Sequence, residues 1–135
     1  MNKLKGTIIG MESSANISII RVDVDGDKFS SIVLEGAKGP SNYAVKDPVT
    51  LFFKETEVGL AKGLTGMISL RNRFKALITK IDKGPILAKV TLDYKGRVIE
   101  SVISAQSAAD MKLKPGEEIE WLVKTNEVTL MKNPS

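Results

Sequence analysis

The sequence predicts an all-β protein made of two small barrels in tandem, each with a short helix. Three observations lead there. The chain repeats itself at an interval of 70 residues. Each copy carries alternating apolar runs joined by a two-residue turn ending in glycine, Asp25-Gly26 in the first and Lys95-Gly96 in the second. A short helical pattern follows the second hairpin, and the repeat carries it to the first.

The repeat is gapless. A shift of 70 residues places Asn2 on Asn72, Lys5 on Lys75, Ile8 on Ile78, Asp23 on Asp93, Gly26 on Gly96 and Ser31 on Ser101. It continues with Lys54 on Lys124, Glu57 on Glu127, Val58 on Val128, Leu60 on Leu130 and Lys62 on Lys132. Turn residues match turn residues and branched apolar residues match one another, as a tandem duplication requires. The units run near 2–62 and 72–132 around a linker, GLTGMISLR, so the expected modules are 1–63 and 64–135.

The elements follow in order. KLKGTIIGM and FKALITKI open the two units as apolar strands. ISIIRVDVDGDKFSSIVL and AKVTLDYKGRVIESVIS are their hairpins, and VTLFFKETEVGL and IEWLVKTNEVTLM their closing runs. In SAQSAADMKLKPGEE, Ser104 is the expected N-cap, Ala105 to Leu113 the short helix, and Pro115-Gly116 its stop. Four or five strands with one helix describe an OB-like five-stranded barrel. A unit of about 60 residues is marginal alone, so the two are expected to pack on each other or on further copies.

Composition limits the chemistry. The 135 residues are 42% hydrophobic and 27% charged, typical of a soluble globular protein. No apolar run approaches the ~20 residues of a membrane span, and the N-terminus lacks a signal-peptide pattern, so a cytosolic protein without membrane partners is expected. There is no cysteine and no histidine. Disulfides, thiolate metal sites and the usual general base are therefore excluded, and no metal site or organic cofactor is expected. Ser69 with Lys124 is a conceivable nucleophile and base, but no strained nucleophile turn accompanies them. Nor is there a glycine-rich phosphate loop. An enzyme is not expected.

Three stretches then stand in order: Ser69-Leu70-Arg71-Asn72, Ile103 to Ala109 ahead of Leu113-Lys114-Pro115-Gly116, and Leu122 to Leu130. Together they resemble the Mop module, of TOBE type, found in molbindins and in molybdate-responsive transcription regulators. The resemblance is close over 68–132 and fainter over 2–62, and the whole is similar to a di-Mop molbindin. It implies a cytosolic protein that binds molybdate, with tungstate as a second candidate, for storage, homeostasis or sensing. It also implies a homo-oligomer with sites shared at module interfaces, where the Ser-x-Arg strand of one module meets the helix turn and lysine of another. A regulator of the same family would need a helix-turn-helix segment, for which the two modules leave no room.

The residues suit that ligand. A tetrahedral dianion needs donors aimed at its oxygens and no carboxylate beside it. Arg71 offers a planar fork and permanent charge, and Ser69 a hydroxyl expected on the same strand face, with Asn72 adjacent. Ser104 and Ser107 lie at the expected helix start, where free N–H groups favour an anion. Lys124 adds a charge and the Thr125 N–H a further donor. The first repeat departs from this set: Met1 stands for Arg71, Leu34 and Ala37 for Ser104 and Ser107, nothing for Ser69, and Glu35 adds a carboxylate. Lys54 survives as a secondary ligand. The expectation is a degenerate first module, with fewer sites than modules.

Blander readings stand beside these. Alone, S-x-R-N is most often an exposed strand start, Ser104 a simple helix cap, and Lys124 a solvated lysine. Phe52, Phe53 and Trp121 are expected in the core rather than on a base-stacking platform. Residues 64–135 hold twelve basic and eight acidic side chains, so the net +4 lies there. That suits an anion, or a weak nucleic-acid patch. The alternative function is thus an OB-like nucleic-acid or protein-interaction module without an oxyanion ligand.

Overall fold

The computed structural model describes residues 1–34 and 42–133. The strands are β1 (Asn2–Ser14), β2 (Ile17–Val24), β3 (Asp27–Leu34), β4 (Pro48–Phe53) and β5 (Gly59–Ala61), then β6 (Asn72–Lys83), β7 (Leu87–Tyr94), β8 (Arg97–Ser104), β9 (Glu118–Val123) and β10 (Thr129–Lys132). The helix α1 spans Ala105–Asp110, and 3-10 turns cover Glu55–Glu57 and Thr125–Glu127. The all-β expectation holds. α1 ends three residues before the expected Leu113, because Lys112 takes a positive φ of 52° and breaks the helical path. The corresponding stretch of the first repeat, with Glu35 and Ala37, lies outside the described residues.

The hairpins form where the turn signals stand. Asp25 and Gly26 have φ of 49° and 91°, and Lys95 and Gly96 φ of 51° and 85°. Two consecutive positive φ values fit a type I′ turn, whose twist matches that of the flanking strands. The Gly96 N–H donates to Asp93 Oδ1 at 2.8 Å, an aspartate turn that holds the tip. Both long first strands also carry a register shift at matching places, between Ile8 and Gly10 in β1 and between Ile78 and Lys80 in β6. The bulge lets each strand bend and serve two partners, β2 and β4 in one case, β7 and β9 in the other.

Two five-stranded sheets result, ordered β10-β4-β1-β2-β3 and β5-β9-β6-β7-β8. Each repeat thus gives its last strand to the other repeat's sheet. Leu60 pairs with Trp121, and Leu130 with Leu51. Each sheet curls until its outer strands, β10 with β3 and β5 with β8, come into contact.

One continuous core joins the halves. Ile8, Ile20, Val22 and Leu51 of the first repeat and Ile78, Val90, Leu92 and Ile99 of the second are fully buried. Between them, Phe29 stacks on Phe74 with centroids 4.1 Å apart, and Phe53 on Trp121 at 5.6 Å. Phe53 and Trp121 are core residues, as expected; Phe52 is partly exposed, with Lys3 Nζ 5.8 Å from its ring centroid. The conserved spacing of the repeat also explains four buried polar side chains. The Asn2 amide donates to Glu100 O and accepts from Glu100 N–H, both at 2.8 Å. Asn72 does the same with Ser30, at 2.9 and 2.7 Å. The Ser31 hydroxyl donates to Val128 O at 2.6 Å and the Ser101 hydroxyl to Val58 O at 2.7 Å. Each asparagine satisfies an otherwise open pair of backbone groups on the other repeat's third strand, so these locks follow the pseudo-two-fold relation of the repeats.

Candidate functional site

The β6–β9 ladder ends at the pair Asn72 and Val123. Arg71 immediately precedes one and Lys124 immediately follows the other, so both cations leave the same end of the ladder. Lys124 holds an extended backbone, φ −67° and ψ 143°, and its carbonyl accepts from Glu127 N–H at 2.9 Å to close the 3-10 turn. Thr125 opens that turn, where an N–H has no partner within the turn itself. Ser69, Arg71 and Lys124 are exposed, and neither cation forms an ion pair among the described residues. Met67, Ile68, Ser69 and Arg71 line an open depression of about 390 Å³.

Ser69 and Arg71 are not on the strand. β6 begins at Asn72, and the preceding residues form a loop, because Gly63 and Gly66 take positive φ and the chain crosses from β5 to β6 without a partner to pair with. What holds this loop is a residue that the motif reading passed over. Arg73 Nε donates to Glu120 at 2.6 Å, and its Nη2 donates to Leu64 O at 2.9 Å, tying the linker to β9. The Arg73 guanidinium accordingly holds the Glu120 carboxyl below its usual range. The doubled arginine in Arg71-Asn72-Arg73, flanking a strand start, was the available signal.

Asn72 has a different task from the one its motif suggests. Its side chain is fully buried and both ends of its amide are engaged by Ser30. It anchors the strand end that carries Arg71, and the amide points to the other repeat.

Ser104 and Ser107 form a second group at the far end of β8. Both are exposed. Ser104 caps α1: its Oγ accepts from Ser107 N–H at 3.0 Å and lies 2.8 Å from Ser107 Oγ. The Ala105 N–H is taken by Ile86 O, so the helix start offers fewer free donors than its sequence suggests. The 3-10 turn after Lys124 lies against the first repeat's β3, and the turn after Lys54 against β8, the strand that ends at Ser104. Among the described residues no hydrogen bond or ion pair joins the two groups. On the Lys54 side Met1 replaces Arg71, and Glu55 stands where Thr125 would be and accepts an ion pair from the Met1 amino group. Beside the Lys124 group, Leu34 replaces Ser104 and is 78% exposed. No cluster of metal-ligating side chains occurs among the described residues.

Comparison with known proteins places this arrangement. The TOBE domain family matches residues 68–130. Molybdenum-pterin-binding protein 1 of Clostridium pasteurianum is 34% identical over 65 residues, which are 47% of this chain and 96% of that protein. The chain belongs to the molybdenum-pterin-binding (Mop) family. A second Mop relative, MopB of Rhodobacter capsulatus, is 36% identical over 70 residues, and the matched part is 26% of its length. The cytoplasmic molybdate-binding protein ModG, in a crystal form with molybdate bound, superposes on 96% of the chain with a TM-score of 0.88 at 26% identity; 94% of ModG is covered. The structural likeness to ModG thus extends across both repeats, including the first, which the TOBE match does not reach.

Proposed function

We propose that this protein binds molybdate, with tungstate as an alternative oxyanion, and performs no catalysis. The observation that carries the proposal is the pair Arg71 and Lys124, two cations without a carboxylate partner among the described residues, leaving the same end of the β6–β9 ladder near Ser69. A tetrahedral dianion matches such a set, since the guanidinium fork gives charge-assisted bonds and the hydroxyl fills a further position. The molybdate found in ModG, a protein alike over nearly the whole chain, supports the same ligand.

The donors divide into two half-sites, and each completes the other. The Arg71–Lys124 group lacks the serine turn, and the Ser104–Ser107 group lacks the arginine. Exposed apolar residues rim both: Met67 and Ile68 beside Ser69, and Ile86 and Leu87 beside Ser104. Such patches are normally covered. Copies of the chain meeting there would join an arginine half-site to a serine half-site and bury the rim, giving a cytosolic homo-oligomer for oxyanion storage, homeostasis or sensing. The first repeat, with Met1, Leu34 and Glu55 at the matching positions, supplies surface and Lys54 and no complete site. A titration calorimeter with sodium molybdate, sulfate as control and light scattering on the same sample tests this. Saturable molybdate heat with at most one ion per chain, in a defined oligomer, is the expected outcome; absence of heat with molybdate would overturn the reading.

A further inference from the structure

The symmetric locks hold the two repeats together, yet they cannot choose between partners. Asn2 and Asn72, and Ser31 and Ser101, are identical residues at matching positions, and each makes the same contact with the opposite repeat. They would work equally well if two second repeats from different chains met each other. Selection of the right partner needs a place where the repeats differ and face one another.

The hairpin turns are such a place. At the 70-residue offset Asp25 matches Lys95 and Asp27 matches Arg97, while the framing residues Asp23 and Asp93, and Gly26 and Gly96, are unchanged. The first repeat's turn is thus acidic where the second repeat's is basic. The structure brings them together: Lys95 Nζ lies 3.0 Å from Asp27 Oδ2 and donates to Asp25 O at 3.0 Å, and Arg97 pairs with the Asp25 carboxylate. Tyr94, whose counterpart is Val24, donates its hydroxyl to Asp27 at 2.5 Å. Like-with-like pairing of second repeats would set Lys95 and Arg97 against a second Lys95 and Arg97 and leave the Tyr94 hydroxyl facing cations. Like-with-like pairing of first repeats would set Asp25 and Asp27 against themselves.

We propose that this charge reversal is a pairing code, which makes a first repeat engage a second repeat and excludes homotypic pairing of like repeats between chains. Exposed ion pairs add little affinity, but opposed like charges at contact distance are costly, so discrimination rather than strength is what they supply. The code keeps the duplicated surfaces in one register and leaves the remaining faces of the chain for other contacts.

Charge exchange on the full-length protein tests the proposal. The variants are Asp25→Lys with Asp27→Arg, Lys95→Asp with Arg97→Asp, and the four changes together. The backbone accommodates them, because Asp25 and Lys95 already share nearly the same positive φ, 49° and 51°. Each double variant is expected to lose roughly 5–10 °C in Tm at low ionic strength, with the loss shrinking at about 1 M salt, where the screening length falls to ~3 Å. The fourfold variant should recover most of the loss. Refolding the two double variants as a mixture should give a species containing both chains by native mass spectrometry, since each then complements only the other. If the fourfold variant is no more stable than either double, or does not fold, the code is refuted. The same follows if mixing yields only the separate species.

Discussion

At the scale of single residues, the chain separates two uses of polar side chains that look alike in the sequence. Arg71 and Lys124 have no carboxylate partner among the described residues, while Arg73 is committed to Glu120 and Leu64. Arg71→Ala or Lys124→Ala should therefore weaken molybdate binding by about 10- to 100-fold, the loss expected for one charge-assisted hydrogen bond, with little change in Tm. Calorimetry and a thermal melt on the same variant check both halves. Asn72→Ala should behave oppositely. It strands the half-buried Ser30 N–H and C=O, and should cost about 1–3 kcal/mol in urea unfolding. The distinction was only half legible beforehand. The resemblance reads Ser69-x-Arg71-Asn72 as ligands, but Asn72 also recurs as Asn2, where no arginine or serine accompanies it; that recurrence is the signal for a structural job shared by both repeats.

The elements carry their own history of what can be read locally. Hairpins and turns were legible because an Asp-Gly or Lys-Gly pair between alternating runs dictates its own geometry within a few residues. The exchange of β5 and β10 was not. Gly59–Ala61 and Thr129–Lys132 have no local signal for which β-ladder they join, and the answer depends on the packing of the two repeats against each other. Close packing inside β1 also makes a prediction. A Cβ at Gly6 would lie 2.6 Å from Asp23 O and 2.6 Å from a Val22 methyl carbon, so the neighbouring strand must shift to admit it. Gly6→Ala should lower stability by about 1–3 kcal/mol, even though the matching position in the second repeat is Ala76. Chemical denaturation compared with the parent measures it.

For the whole molecule, the duplication supplies a stable pseudo-symmetric body, and divergence within it supplies function. The separation of the Ser69-x-Arg71 stretch from the serine turn was legible through the resemblance, but the side on which Lys124 falls was not, because it depends on the long-range pairing of Asn72 with Val123. Electrostatics set the pH behaviour. Arg73 lowers the Glu120 carboxyl, Lys62 that of Glu117, and Arg97 that of Asp25. A carboxyl lowered on folding stabilises the native state above its unfolded pKa, and that contribution disappears as pH falls through the folded value. With no histidine in the chain, Tm and molybdate affinity should be nearly flat between about pH 6 and 8, and Tm should drop in acid below the ordinary carboxylate range. A pH series of melts and titrations checks this, and a large affinity change near neutrality would rule out the proposed donor set.

Binding of molybdate between two copies is tested by a crystal structure grown with molybdate, with the ion located by its anomalous scattering at the molybdenum edge. A peak is expected within hydrogen-bonding distance of Arg71 and Lys124 of one copy and of Ser104 or Ser107 of another. A peak held entirely by one chain, or one away from both half-sites, would contradict it.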